Sequence, residues 1–339
     1  MEKGKNIQLT APEIGSMWAV YLSDTASICI SKHFKETVED LETKTIIERA
    51  LTLSEKHVEK IAHIFRQEQY PVPMGFTDAD YNVGTPRLYS DEFYLIYTYA
   101  MSRIGLHNYS LMLSNVIRED IRNFFSECVK ETVTLYNESS EVLLSKGLAR
   151  RAPHIPTPQG IDFVEKQNFL TGWIGEKRPI NAIEITEFFF NVHRNDLGMY
   201  LLTGFAQVAQ SKELVSFFMR GKEISKKHVE IFESILKDND VSGSLTWNIN
   251  ISNSTLPPFS DKLMLFLVNA LNGVGIGYYG LGMGVSMRRD FPVDFSRLIA
   301  EVGLFAEDGM NIMIKNKWLE QPPQATDREK LAKNKSNLT

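Results

Sequence analysis

Apolar residues recur every three or four positions along stretches far longer than a strand. Ile14, Met17, Trp18, Tyr21 and Ile28 predict a helix over about residues 12–38, and Ile47, Leu51, Val58, Ile61 and Phe65 predict a second over about 41–69. Ser90 and Asp91 supply the N-cap of a third helix that runs to about Asn115. Asp120 lies near the start of a fourth, which stops near Gly147. The second half predicts helices near 184–210, 212–238, 261–286 and 289–317, and strand signals are weak throughout. The longest polar breaks, 70–88 and 239–259, fall between the second and third helix of each half, where they suit a crossover or a functional loop. Between Ala149 and Asn181, Pro153, Pro156, Pro158, Gly160, Gly172 and Gly175 mark a link, with a short helix expected from Phe163 to Leu170. The tail after Trp318 reads as extended and frayed.

The two halves are copies. A shift of 171 residues lays Glu13-Ile14 on Glu184-Ile185, Phe34 on Phe205, Arg49 on Arg220, and the Ser54 to Glu59 segment on Ser225 to Glu230. After one deleted residue the shift is 170, and Ser90, Gly105, Tyr109, Arg118, Asp120 and Glu131 meet Ser260, Gly275, Tyr279, Arg288, Asp290 and Glu301. One register held over about 140 residues with a single gap is the mark of a tandem repeat. The expected architecture is all-α: a tandem duplication of an up-and-down four-helix bundle about a pseudo-twofold axis. Its parts are a first bundle over 9–160, a linker over 161–181 and a second bundle over 182–330.

Composition narrows the function classes. Hydrophobic residues make up 43 % and charged residues 23 %, which excludes a disordered or low-complexity chain. A net charge of −5 argues against nucleic acid as a partner, since phosphate binding needs a clustered basic surface. Cys29 and Cys128 are too few for a disulfide framework and are expected as thiols in a reducing cytoplasm. No apolar run follows the charged N-terminus, so no secretory signal is expected. The 25 residues from Leu263 to Met287 carry no formal charge and are long enough to span a bilayer. They also hold two asparagines and six glycines and stand alone, which favours a buried helix of a soluble bundle over a membrane span.

Gly275, Gly277 and Gly280 match the dinucleotide pattern G-x-G-x-x-G, but in mid-helix, where no strand precedes them. The glycines at 273, 277, 280 and 284 are instead expected to form a small-residue face for a closely approaching helix, with a bend in this helix as the competing account. None of the seven histidines follows a glutamate by three residues, so the di-iron pattern of ferritin-like bundles is absent, as is His-Glu-x-x-His.

One constellation recurs. His57 and His228 fall on, or at the edge of, the apolar stripe of the second helix in each copy. Glu131 and Glu138, and likewise Glu301 and Asp308, share the stripe of the fourth helix at seven-residue spacing; Asp24 and its counterpart Asn195 follow that of the first. A buried carboxylate needs a partner or a cation, and an imidazole with two carboxylates suits a divalent metal such as Zn, Fe or Mn. The candidate ligands are therefore His57, Glu131, His228, Glu301, Asp24, Glu138 and Asp308, placed inside each bundle or at their junction. The alternative is a satisfied hydrogen-bond network within the core. Aromatic residues such as Trp18, Tyr21, Tyr94, Tyr97, Phe188, Phe189 and Phe190 are numerous enough to line an apolar pocket, but core filling is the favoured expectation for them.

The repeated Ser-x-Lys-His-Val-Glu, the Ser-Asp opening of the third helix, Met287-Arg288-Arg289-Asp290, Ala306-Glu307-Asp308-Gly309 and Trp318-Leu319-Glu320-Gln321-Pro322-Pro323 resemble a family of uncharacterised proteins of spore-forming bacilli. The likeness spans about residues 9–333. It implies two tandem four-helix domains and, from labels such as metalloprotein-like or spore coat protein, metal binding and spore association. No catalytic residues carry over. Three functions stand as expectations: divalent-metal binding, a non-enzymatic structural or interaction protein of the spore or stress state, and carriage of an apolar ligand. The partners considered are a homo-oligomer, spore coat components and a small molecule, with no membrane.

Overall fold

The computed structural model describes residues 7–173, 177–241 and 246–335. Gly175 of the expected link lies outside the described residues. Eight long helices follow the predicted order: α1 (Ala11–Thr37), α2 (Leu41–Gln67), α3 (Asp91–Asn115) and α4 (Glu119–Ser145), then α5 (Ala182–Val208), α6 (Lys212–Lys237), α7 (Asp261–Val285) and α8 (Asp290–Lys315). A short exposed helix, α9 (Arg328–Lys335), forms within the tail expected to be extended. The expected link helix shrinks to one 3₁₀ turn at Gln167–Leu170. Consecutive helices pack as hairpins, α1 on α2, α3 on α4, α5 on α6 and α7 on α8.

Local chemistry sets the ends. Thr10 and Asn181 open α1 and α5 with reciprocal capping boxes to Glu13 and Glu184. Each glutamate also reaches across its repeat, to the Arg118 amide at 3.0 Å and the Arg288 amide at 3.1 Å. Past the end of α4, Gly147 takes a left-handed φ of 67°, the conformation that favours glycine. Arg288 and Asp290 form a buried ion pair at 2.6 Å.

The long connections explain how the repeats meet. Residues 68–90 of the first pair with residues 246–260 of the second through antiparallel bridges at Tyr81–Phe259 and Tyr89–Ile251. Under the 170-residue shift these two bridges are each other's mates. The hydrogen bonds obey the same exchange: Asn82 N–H to Pro258 O matches Ser252 N–H to Leu88 O, both at 2.8 Å. Ser90 N–H to Asn250 O at 3.1 Å likewise matches Ser260 N–H to Asp80 O at 2.9 Å. This clasp is the pseudo-twofold expressed in backbone contacts.

The largest core lies across it. Phe34, Tyr89, Phe93 and Tyr94 of the first repeat are continuous with Phe205, Phe218, Phe259 and Met264 of the second. Each repeat keeps a smaller core of its own, around Phe65 and Phe125 in the first and around Phe188, Phe232 and Phe295 in the second. Tyr89 donates its hydroxyl to the Leu201 carbonyl at 2.7 Å, and a Cβ on Gly204 would collide with the Tyr89 ring. The tail adds a tie, since Glu320 accepts from the Met74 and Gly75 amides at 2.9 and 2.6 Å.

The glycine face of α7 differs from expectation. The helix is unbroken, and a Cβ at 273, 277, 280 or 284 would meet nothing within 4 Å. The stripe faces open space within this chain. By length and composition alone α7 is apolar enough to cross a membrane, and 39 % of its most apolar window is buried in the fold.

Candidate functional site

The duplicated histidines do sit inside. His57 and His228 are buried, each on the second helix of its repeat. In both, the imidazole Nε2 meets the fourth-helix glutamate: Glu131 at 3.3 Å and Glu301 at 3.2 Å. The preceding lysine, Lys56 or Lys227, caps that glutamate from the solvent side. At Nδ1 the repeats part. His57 meets Asp24 at 3.0 Å, and Ser54 also approaches that carboxylate, at 3.3 Å. His228 instead meets the Tyr279 hydroxyl at 2.7 Å, and Asn195 occupies the place of Asp24, 2.9 Å from the same hydroxyl.

This exchange of acid for amide contributes to the electrostatic difference, and Arg194 and Lys227 add to it by opposing charge on His228. Burial disfavours a charge on His57, but hydrogen bonds to Asp24 and Glu131 outweigh it and raise its pKa above the ordinary value. For His228, burial dominates over the single carboxylate Glu301, and the pKa is lowered. The two acids flanking His57 approach opposite ring nitrogens, so the imidazole stands between them. Among the described residues no three His, Cys, Asp or Glu side chains converge as a metal site would require. Glu138 and Asp308 lie apart from the histidines, in surface ion pairs with Arg49 at 2.5 Å and Arg220 at 2.6 Å. Both thiols are free and buried; burial pushes Cys29 to about 12 and Cys128 higher still. That removes them as nucleophiles at neutral pH.

A second feature lies between the repeats. A cavity of about 460 Å³ is walled by α3 of the first repeat and α5 and α7 of the second, with Tyr136, Trp247 and Phe305 contributing. Its buried walls combine aliphatic Leu197, Leu201, Leu202 and Val268 with polar Asn191, His193 and Asn195. Its more exposed side carries Arg103, His107, Glu187 and Arg194. Arg103 lies over Phe190 at 4.3 Å, and Arg194 lies over Tyr279 at 4.7 Å. A Cβ on Gly275 would collide with the Arg194 guanidinium, so this glycine of the dinucleotide-like pattern makes room for an arginine. Burial alone raises the Glu187 pKa.

The model of a family described as proteins of unknown function, DUF3231, matches residues 1–161 and again residues 168–331. The chain belongs to the DUF3231 family. Its model fits this DUF3231 protein twice, once on each repeat. No curated protein matches the chain. A solved structure described as a "putative spore coat protein" from Bacillus halodurans C-125 is similar at 20 % identity, over 47 % of this chain and 99 % of that one, with a TM-score of 0.39.

In this DUF3231 chain, the structure thus brings Asp24, His57 and Glu131 together, and His228 with Glu301. Sequence reasoning missed Arg103 and Arg194. A signal was present: each arginine sits on a long apolar helix with no acid three or four positions away on either side.

Proposed function

We propose that this protein binds one small, largely apolar molecule in the cavity between its repeats. The cavity itself carries the reading: at about 460 Å³ it falls within the usual size of a small-molecule site, and apolar and aromatic walls surround a few polar groups. The uncharged apolar probe N-phenyl-1-naphthylamine tests it. Fluorescence titration is expected to saturate at one probe per chain, and Ala100→Trp, which fills the cavity from α3, is expected to abolish the signal without loss of helicity. Absence of saturable binding to the unaltered protein would refute the reading. Solvent extraction and mass spectrometry of the purified protein would identify a co-purifying ligand.

A second reading, a divalent metal in the first repeat, is supported by the Asp24 contact to His57 Nδ1. A carboxylate there is the usual orienting partner of a ligating histidine. The metal would be held by His57 Nε2 and Glu131, with water completing its shell, once Lys56 had released the glutamate. Metal content of untagged protein, compared with His57→Ala, tests it: stoichiometry near zero in both removes the idea. The family resemblance further supports association with the spore, and co-fractionation with isolated spore coats is the measurement that checks it.

A further inference from the structure

We propose that the molecule held between the repeats is an apolar carboxylic acid whose carboxylate is taken by the guanidinium groups of Arg103 and Arg194. The inference rests on the cavity reading above and adds the ligand's polar end. Among the described residues neither arginine makes an ion pair. Arg194 spends one nitrogen on Asn191 at 3.0 Å, while its buried Nε has no hydrogen-bond partner. A part-buried cation without a counter-charge is costly, and a ligand acid would relieve that cost.

Both arginines line the cavity, and Arg103 lies over Phe190, one turn before Arg194 on α5. Arg103 and His107 lie one turn apart on α3, and the His107 ring is 5.1 Å from that of Tyr278. Arg194, from α5, has its guanidinium carbon 5.9 Å from the same Tyr278 ring. Both positive charges act on the Tyr278 hydroxyl, against the upward effect of its burial. The two guanidinium groups lie over the rings of Phe190 and Tyr279, and such planar forks match a carboxylate's paired oxygens. Glu187, the acid lining the same cavity, leaves both cations unpaired. The buried aliphatic wall of Leu197, Leu201, Leu202 and Val268 would receive the apolar body.

Calorimetric titration of the full chain with decanoate and with decan-1-ol tests the proposal, since the two differ only at the polar end. Decanoate is expected to bind one per chain, at least tenfold more tightly than the alcohol. In the double variant Arg103→Gln/Arg194→Gln the acid is expected to lose that advantage, while the alcohol binds as before and so reports an intact cavity. Equal affinity of acid and alcohol in the unaltered protein overturns the carboxylate assignment and leaves the cavity reading standing. An advantage that survives the double variant overturns the role of the arginines. Binding of neither ligand overturns the cavity reading, and this inference with it.

Discussion

His57 Nδ1 lies 3.0 Å from a carboxylate oxygen of Asp24, and the second repeat has no acid at that place. The two buried histidines therefore have their pKa values shifted in opposite directions. His57 has its pKa raised, so its contribution to stability is complete below the unfolded value of about 6.5 and is lost as pH rises through the folded value. His228 has its pKa lowered, so its contribution is present above about 6.5 and is lost as pH falls through the folded value. Proton NMR titration should find one imidazole above the ordinary range and one below it. Asp24→Asn should move His57 downward, toward the behaviour of His228.

Asp196 is a buried acid with one oxygen accepting from the Trp247 amide at 2.8 Å and the other without a partner. Burial lifts its pKa from 3.8 to about 6. A carboxyl protonated more readily in the fold stabilises it below the unfolded value and weakens it as pH rises through about 6. Asp196→Asn is expected to stabilise the protein at neutral pH by up to about 3 kcal/mol and to flatten the pH dependence between about 4 and 6. Urea unfolding at several pH values would decide.

The joint between the repeats has a weak point at Gly204, where Tyr89 rests on the α5 backbone. Gly204→Val should displace that ring and lower the melting temperature far more than Tyr89→Phe. The latter loses one buried hydrogen bond, about 1 kcal/mol. Equal effects of the two changes would mean that the ring is not seated as described.

The open glycines of α7 allow a prediction of the opposite sign. Alanine at 273, 277, 280 or 284 meets no obstacle and should raise stability by up to about 1 kcal/mol per site, the helix-propensity difference. Denaturant midpoints of the four single variants check this. Destabilisation at any of them would show that something covers the stripe.

Long helices were legible because their apolar spacing and caps act locally: α2 and α6 begin and end within two residues of their predicted limits. The duplication was legible for the same reason, as was the inward placing of His57 and His228. What failed involved geometry beyond one helix. Glu138 shares a heptad with Glu131, yet Arg49 of the neighbouring α2 pairs with it at the surface. The glycine stripe implied an approaching helix, but α7 turns Tyr279 and Gly282 inward instead. Arg103 and Arg194 belong to different repeats, and no periodicity links them. The clasp was hidden likewise, because its two halves are polar loops far apart in the chain.

Because the clasp maps onto itself under exchange of the repeats, each of the two long loops, α2–α3 and α6–α7, offers an edge complementary to the other. A half-length chain would carry the same edge and could pair with a twin through it. Fusion replaces that encounter with an intramolecular one at high effective concentration, so a handful of backbone contacts suffices to hold the halves in register. It also frees the two halves to diverge, as Arg194 has from its counterpart Ser23, in a way that a symmetric dimer of identical chains cannot.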